Sequence, residues 1–274
     1  MSNSSDASEV RCPRLAVFKF ASCDGCQLSL LDAEDELLVL GEHIEIAYFL
    51  EATSRTLDGP YDIGIVEGSI TTPHDRERIQ IVREQCRVLV TIGACATSGG
   101  IHALRNWANL EDYLVQVYAT PEYISTLATS TAISEHVSVD YELRGCPINK
   151  EQLLDLLTAL AKGQEPRFAN HSVCVECKLR GNVCLAVAEG VTCLGPITQA
   201  GCDALCPTFG RECFGCYGPK ELANAQSLCQ QYQKNGSTGP QLVQLLRSFN
   251  ANAPEFNSVS NALTRTTLDH SEAE

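Results

Sequence analysis

The chain contains 274 residues, of which 44% are hydrophobic and 20% charged. A chain of this length and composition can bury one large core or two modest ones, which argues against intrinsic disorder and against a small disulfide-stapled scaffold. The formal net charge of −14, without any basic stripe, argues against a surface for nucleic acid or anionic membrane, because such surfaces are basic.

Strand-like and helix-like segments alternate from residue 15 to residue 160. β-Branched and aromatic runs bounded by Gly, Pro or Asp predict strands, whereas apolar residues at a helical period predict helices. The predicted order is strand 15–20, helix 27–40, strands 44–50 and 61–70, helix 73–85, strand 87–96, strand 136–147 and a helix after Asn149. Such alternation indicates βαβ units, and therefore an α/β fold with a mostly parallel sheet covered by helices on both faces.

The character of the sequence changes near residue 165. The segment from His171 to Pro219 is rich in Gly, Pro and Cys and has only weak periodicity. A compact domain does not tolerate so long an irregular stretch unless something other than an apolar core organises it, and bound metal is a natural organiser. We therefore predict an α/β domain and a cysteine-rich domain that ends in two short helices. The predicted boundaries are 14–165 and 166–250 for the two domains, with flexible tails over 1–13 and 251–274.

Four cysteines of the first domain follow predicted strands. Cys23 and Cys26 form a C-x-x-C after the first strand, Cys95 ends the strand 87–96, and Cys146 lies in a loop beyond the last strand. Because the carboxyl ends of parallel strands share one edge of the sheet, the four thiols can converge there on a bulky inorganic cluster. The alternatives are a thioredoxin-type dithiol for the C-x-x-C pair and simple packing for Cys95 and Cys146.

The second domain contains eight cysteines in two groups of four. The first group is Cys174, Cys177, Cys184 and Cys193, and the second is Cys202, Cys206, Cys213 and Cys216. Four thiolates suit either a cubane iron–sulfur cluster or a tetrahedral zinc ion. Three such sets in one chain would make an electron-transfer path, whereas three structural zinc ions would be redundant beside an ample core. The cysteine pattern therefore favours iron–sulfur clusters over zinc.

Motifs of several other classes are missing from the sequence. It contains no G-x-G-x-x-G, no P-loop and no H-E-x-x-H, so nucleotide binding and zinc-peptidase chemistry have no support. The N-terminus has no cationic and apolar leader and the sequence has no arginine pair, which predicts a cytoplasmic protein. In that compartment clustered thiols usually serve metal or redox chemistry. The longest uncharged run, Val88 to Leu104, is too polar for a membrane span.

An ordered set of motifs resembles the small subunit of nickel–iron hydrogenases. The motifs are CDGC (23–26), VEGSI (66–70), GACATSGG (93–100), RGCP (144–147) and the cysteine block that ends at Cys216. The block looks most like that of the cytoplasmic, multi-subunit branch, especially the delta subunit of NAD(P)-linked sulfhydrogenases. Small subunits of deazaflavin-reducing and heterodisulfide-reductase-linked hydrogenases are similar as well.

The resemblance implies a flavodoxin-like first domain and three [4Fe-4S] clusters. The motif positions imply a proximal cluster on Cys23, Cys26, Cys95 and Cys146, a distal cluster on Cys174, Cys177, Cys184 and Cys193, and a medial cluster on Cys202, Cys206, Cys213 and Cys216. The assignment of Cys184 and Cys206 between the last two clusters stays open, because a fourth ligand can belong to the other cluster. Glu67 of VEGSI is expected near the proximal cluster, in the subunit interface or the proton environment there.

The resemblance also implies an electron-transfer role with no catalytic residue on this chain. Dihydrogen would be cleaved at a nickel–iron centre of a large-subunit partner, and electrons would continue to iron–sulfur and NAD(P)- or flavin-binding diaphorase subunits. Arg211-Glu-Cys213-Phe-Gly-Cys216 looks superficially like a nickel-binding motif, but the second cysteine pair of such a site is missing. Two alternatives remain: the iron–sulfur subunit of a complex I-like oxidoreductase, and a zinc-stabilised interaction module.

Overall fold

The computed structural model describes residues 11–271, and five strands in this part of the chain form one sheet. The strands are β1 (Arg14–Lys19), β2 (Glu45–Phe49), β3 (Tyr61–Glu67), β4 (Cys86–Ile92) and β5 (Tyr141–Leu143). Every neighbouring pair is parallel, and the strand order is β2-β1-β3-β4-β5. This is the flavodoxin-like order, so the predicted fold class is confirmed.

Helices connect the strands and cover both faces of the sheet. They are α1 (Gly25–Leu31), α2 (Glu34–Gly41), α3 (Pro73–Gln85), α4 (Gly93–Ser98), α5 (Leu110–Val117) and α6 (Lys150–Ala161), with 3-10 turns at Ile101–Trp107, Pro121–Tyr123 and Ile133–Glu135. Successive side chains of β1 point to opposite faces. Leu15 and Val17 join a core with α1, α2 and α6, whereas Ala16 and Phe18 join a second core with α3. Burial on both faces is typical of a parallel sheet.

Local sequence signals account for the start of α3. The Thr72 hydroxyl accepts a hydrogen bond from the Asp75 N–H at 3.0 Å, and the Asp75 carboxylate accepts one from the Thr72 N–H at 3.0 Å. Pro73 occupies the first helical position, where a missing N–H costs nothing. The predicted helix over 73–85 is confirmed.

Four of the strands, β2 to β5, are shorter than predicted; β3, for example, ends at Glu67 and not at residue 70. β4 ends at Ile92, because Gly93 adopts φ +82 and turns the chain into α4. Cys95 therefore lies in a helix just after the strand, not at the strand's end. β5 covers only Tyr141–Leu143 within the predicted segment 136–147. Both cysteines that follow these strands still lie at the carboxyl edge of the sheet.

The cysteine-rich half has little regular structure until residue 225. Its helices are α7 (Val173–Leu179), α8 (Leu185–Ala188), α9 (Leu205–Thr208), α10 (Ala225–Lys234), α11 (Gly239–Leu246) and α12 (Pro254–Ser271). α7 has seven residues, and α8 and α9 have four each. The two short helices predicted after Pro219 correspond to α10 and α11. The division of the chain at residue 165 stays a proposal.

The C-terminal segment differs from the expectation of a flexible tail over 251–274. Most of it forms α12, which packs on α10 and α11. Phe256 is 1% exposed, and Ala251 and Ser260 are fully buried. Burying these side chains stabilises the helix against the conformational entropy of a free tail. Of the expected N-terminal tail, residues 1–10 lie outside the described residues.

No helix in the part of the chain that the structure describes is long and apolar enough to cross a membrane.

Candidate iron–sulfur sites

The first set of thiols lies at the carboxyl edge of the sheet, on four different segments. Cys23 follows β1, Cys26 begins α1, Cys95 lies in α4 and Cys146 lies in the loop after β5. The four are close enough that a charge on one affects the pKa of its neighbours. Cys23 is exposed, whereas Cys26 is buried. The structure thus brings together the four residues that the sequence placed in one set.

Glycines leave room beside these thiols. A Cβ on Gly93 would lie 2.4 Å from Cys26 Sγ, and one on Gly100 would lie 2.5 Å from Cys95 Sγ. Both glycines have positive φ, +82 and +59, a conformation that other residues rarely adopt. The backbone therefore approaches the sulfur atoms more closely than any larger residue would allow.

Burial disfavours free thiolates in the first set. It raises the pKa of Cys95 to about 12, and it also raises the pKa values of Cys26 and Cys146. A buried thiol ionises when a metal centre supplies positive charge, and the thiolate is the form that binds metal. The donor chemistry thus fits an iron–sulfur cluster.

Glu67 lies beside the first set, as predicted, but its carboxylate is used inside the chain. It is 2% exposed, and its two oxygens accept hydrogen bonds from the Cys26 N–H at 3.0 Å and from Gln27 Nε2 at 2.7 Å. Burial raises the pKa of Glu67 despite these hydrogen bonds. The contacts show that Glu67 holds the first turn of α1, which carries Cys26.

The second set, formed by Cys174, Cys177, Cys184 and Cys193, lines one small pocket. A Cβ on Gly195 would lie 3.4 Å from both Cys174 Sγ and Cys193 Sγ, so the backbone is close to these sulfurs. The Cys213 N–H donates to Cys193 Sγ at 3.3 Å. Burial raises the pKa of Cys174 to about 11. The pocket is lined by Cys184 and not by Cys206.

The third set consists of Cys202, Cys206, Cys213 and Cys216. Cys216 interacts electrostatically with Cys202 and Cys206, and Cys213 interacts with Cys216. Burial raises the pKa of Cys216 to about 12. The backbone N–H groups of Ala204 and Leu205 lie close enough to Cys202 to lower the pKa of its thiol, against the larger effect of burial, which raises it. These donors stabilise a charged sulfur, as is common around protein-bound clusters.

The third set lies between the other two. The backbone of Cys146, in the first set, is close enough to Cys216 to affect the pKa of its thiol, and buried Tyr217 interacts electrostatically with both Cys26 and Cys202. On the other side, Cys213 donates to Cys193 of the second set. The three sets therefore form a continuous series of contacts in the order first, third, second.

The remaining cysteines are separate from these sets. Cys86 is 4% exposed at the start of β4, and Cys229 is 3% exposed in α10. Both pack in hydrophobic clusters. Cys12 is exposed near the start of β1.

Among residues 11–271, no group of three or more His, Cys, Asp or Glu side chains is spaced to hold a single metal ion. A cubane cluster is wider than a single ion and takes four thiolates. The close backbone approach at Gly93 and Gly100, the buried thiols and the N–H donors to sulfur all suit such a cluster. The residues present therefore fit the group that the resemblance implies.

Sequence reasoning missed two polar residues beside the third set. Glu176 lies within C-V-E-C, between two cysteines of the second set, but its carboxylate contacts the loop that carries the third set. A carboxylate between two candidate ligands was the feature of the sequence that could have indicated it. Asn250 is 2% exposed and joins the two halves of the chain. It accepts from Ser98 Oγ at 2.7 Å and donates to the Gly215 carbonyl at 2.8 Å. No local pattern marks Asn250.

Comparison with known proteins gives consistent relatives. The family described as NADH ubiquinone oxidoreductase, 20 Kd subunit, matches residues 23–160. The delta chain of Sulfhydrogenase 2 of Pyrococcus furiosus is 36% identical, covering 75% of this chain and 86% of that protein. A subunit of the F420-non-reducing hydrogenase vhu of Methanocaldococcus jannaschii is 32% identical, covering 86% of this chain and 94% of that protein.

Solved structures agree with these relatives. A chain of an NAD+-reducing [NiFe]-hydrogenase in the H2-reduced state is 33% identical, with a TM-score of 0.53. The match covers 58% of this chain and 96% of that one. A chain of the Ni-Fe-Se hydrogenase from Desulfomicrobium baculatum has a TM-score of 0.52 at 16% identity, covering 76% of this chain and 95% of that one, which shows the shared fold. The chain belongs to the NADH ubiquinone oxidoreductase 20 Kd subunit family and, within it, to the iron–sulfur small subunits of nickel–iron hydrogenases.

Proposed function

We propose that this chain is the electron-transfer small subunit of a heteromeric nickel–iron hydrogenase. The proximal [4Fe-4S] cluster would be held by Cys23, Cys26, Cys95 and Cys146, the medial one by Cys202, Cys206, Cys213 and Cys216, and the distal one by Cys174, Cys177, Cys184 and Cys193. When bound, these clusters supply one-electron storage and transfer. No residue of this chain is proposed to be catalytic, because hydrogen cleavage would occur on the large subunit.

The observation that carries the proposal is the continuous contact between the three thiol sets. Electrostatic interaction of Cys146 with Cys216 joins the first set to the third, and the hydrogen bond from the Cys213 N–H to Cys193 Sγ joins the third to the second. A relay needs redox groups in such a series, whereas independent structural sites do not. This contact order supports the proximal, medial, distal sequence.

Exposure supports a direction through the chain. Cys23 of the first set and Cys184 of the second are exposed, whereas none of the four cysteines of the third set is exposed. The two ends of the series are therefore more open to partners than its centre. We propose that the large subunit covers the Cys23 end and that a downstream subunit meets the Cys184 end.

The residues around the sulfurs would determine how each cluster behaves. Backbone N–H donors at Ala204, Leu205 and Cys213 stabilise negative charge on sulfur, and burial excludes water. Glu67 orients Cys26 through the Cys26 N–H. A role for Glu67 in the interface or proton environment is kept as a proposal, which unchanged activity of Glu67→Gln would reject.

The named relatives suggest the partners. One relative is the delta subunit of the NAD-reducing hydrogenase HoxS of Cupriavidus necator, 28% identical over 166 residues. Others are named as subunits of F420-non-reducing hydrogenases. We propose a nickel–iron large subunit and a further iron–sulfur or NAD(P)/flavin-binding diaphorase subunit as partners, in a cytoplasmic complex without a membrane span.

A second candidate is the iron–sulfur subunit of a complex I-like oxidoreductase. The family match over 23–160 favours it, since that family is described by such a subunit. The match stops before the cysteine block at 174–216, which the relay proposal uses in full. Co-purification with identification of the bound chains distinguishes the two, because a quinone-reductase assembly in place of a nickel–iron subunit would refute the hydrogenase proposal.

Metal analysis of the anaerobically purified complex tests the relay directly. We expect about twelve irons on this chain, at four per cubane, with matching acid-labile sulfide. Redox titration followed by electron paramagnetic resonance should resolve three clusters. Zinc in place of iron would support the interaction module, and fewer than three cubanes would refute the three-cluster relay.

A further inference from the structure

Glu176 connects the second thiol set to the third. It lies on α7 between Cys174 and Cys177, yet its carboxylate points at the loop 201–204. Oε1 accepts a hydrogen bond from the Gly201 N–H at 2.8 Å, and Oε2 accepts one from the Ala204 N–H at 3.2 Å. Oε2 also lies 4.0 Å from Cys202 Sγ. The carboxylate thus sits between the backbone of the loop and a sulfur of the third set.

The loop is shaped to hold this carboxylate. Asp203 and Ala204 both have left-handed backbone conformations, with φ +55 and φ +50, which are unfavourable for residues other than glycine. In such a turn the backbone N–H groups face inward and form a concavity that binds an anion. Ala204 is fully buried. Glu176 is the anion that occupies this concavity.

The groups that bind the Glu176 carboxylate oxygens most closely are backbone N–H groups. Among the described residues its carboxylate makes no salt bridge; the nearby Arg180, one helical turn further along α7, instead binds Asp203, with Nε 2.8 Å from Oδ1. Its hydrogen-bond partners among the described residues are therefore backbone N–H groups and the Cys202 thiol. Because Glu176 is half-buried, water screens its interaction with the Cys202 sulfur only in part.

We propose that Glu176 lowers the reduction potential of the cluster on the third set, a role that rests on the relay function proposed above. Reduction adds one electron to the cluster and no proton, so its negative charge increases by one. A fixed carboxylate 4.0 Å from the Cys202 sulfur opposes that increase. By binding the loop 201–204, the same side chain positions Cys202 relative to α7. Glu176 is a positioning residue, since it acts through Cys202 and the loop.

The test is a redox titration of the anaerobically purified complex, followed by electron paramagnetic resonance, with Glu176→Gln. Glutamine keeps the size of the side chain and one acceptor oxygen but removes the charge. Coulomb's law for unit charges about 4 Å apart, even at the dielectric constant of bulk water, predicts at least about a fivefold change in the ratio of reduced to oxidised cluster at a fixed potential, which is about 40 mV at about 59 mV per tenfold for a one-electron couple. One of the three midpoint potentials should rise, and the other two should stay near their wild-type values. Glu221→Gln removes the same charge from an exposed side chain and should leave all three unchanged.

The outcomes separate this inference from the relay proposal. Fewer than three clusters in the wild-type complex would refute the relay itself. Three clusters in Glu176→Gln, with potentials like those of Glu221→Gln, would overturn the role of Glu176. If Glu176→Gln loses one cluster, Glu176→Asp decides: a cluster that is retained at a potential near the wild-type value supports the need for a carboxylate here, and loss of the cluster in both variants overturns the electrostatic part of the inference.

Discussion

Replacing Gly93 by alanine should remove the first cluster while leaving the other two. Gly93 follows β4 and begins α4, two residues before Cys95. Its φ is +82, and a Cβ added there would lie 2.4 Å from Cys26 Sγ. The substitution therefore adds two separate costs, one in the backbone and one in the contact with a cluster ligand.

The size of each cost follows from the structure. A residue other than glycine in the left-handed region costs about 1–2 kcal/mol. Ordinary contact begins at 3.4 Å, so Cys26 Sγ must move by about 1 Å. Cys26 is 7% exposed and its N–H is bound to Glu67, which leaves little freedom, and overpacking adds about 1–3 kcal/mol. A displacement of about 1 Å exceeds the roughly 0.2 Å tolerance of metal–ligand distances.

The assay is iron content with electron paramagnetic resonance of the purified complex. We expect iron on this chain to fall from about twelve to about eight atoms, at four per cubane. Gly163→Ala is the matched control, because Gly163 has φ +67 but nothing lies within 4 Å of an added Cβ. The Gly163→Ala variant has the unfavourable backbone conformation without the steric contact, so it should keep all its iron. Equal iron in the two variants would refute the argument that Gly93 makes room for the Cys26 thiol.

Three further predictions concern stability. Phe256→Ala should lower the free energy of unfolding in urea by about 3–5 kcal/mol, because the Phe256 side chain of α12 is only 1% exposed. Tyr123→Ala, at a side chain that is 83% exposed, should change this free energy little. Equal losses in the two variants would contradict the packing of α12. Thr72→Ala should cost about 1 kcal/mol by removing the cap of α3, and a thermal melt unchanged from wild type would argue against that cap. Burial lowers the pKa of His136, Arg76 lowers it further and Glu135 opposes them, so the unfolded chain takes up more protons as the pH falls through 6.5. The stability due to neutral His136 is complete above that pH and is lost as the pH falls below it. The midpoint of urea unfolding should therefore fall between about pH 7 and about pH 5.5, and it should fall less in His136→Gln than in the wild type. The same fall in both proteins would count against this reasoning.

Local patterns were sufficient for most of the first domain. Strand and helix periods depend on residues two to four positions apart, so the strand at 15–20, most of the strand predicted at 61–70 and the helix at 73–85 were readable from the sequence. The ends of β4 and α12 were not. Gly93 ends the strand through its backbone conformation, and the helix at 254–271 is stabilised by packing of Phe256 against distant helices. Both depend on tertiary contacts that a local window does not contain.

The sequence by itself determined the chemistry of this protein: twelve thiols in three sets, on an acidic chain with strands alternating with helices. The family resemblance already implied that the third set lies between the other two. Only the tertiary structure decided which contacts join the sets, and that Glu176, next to Cys177 in sequence, contacts Cys202 in space. Thiol type and spacing are local properties of the chain, whereas these contacts depend on how loops distant in sequence pack together.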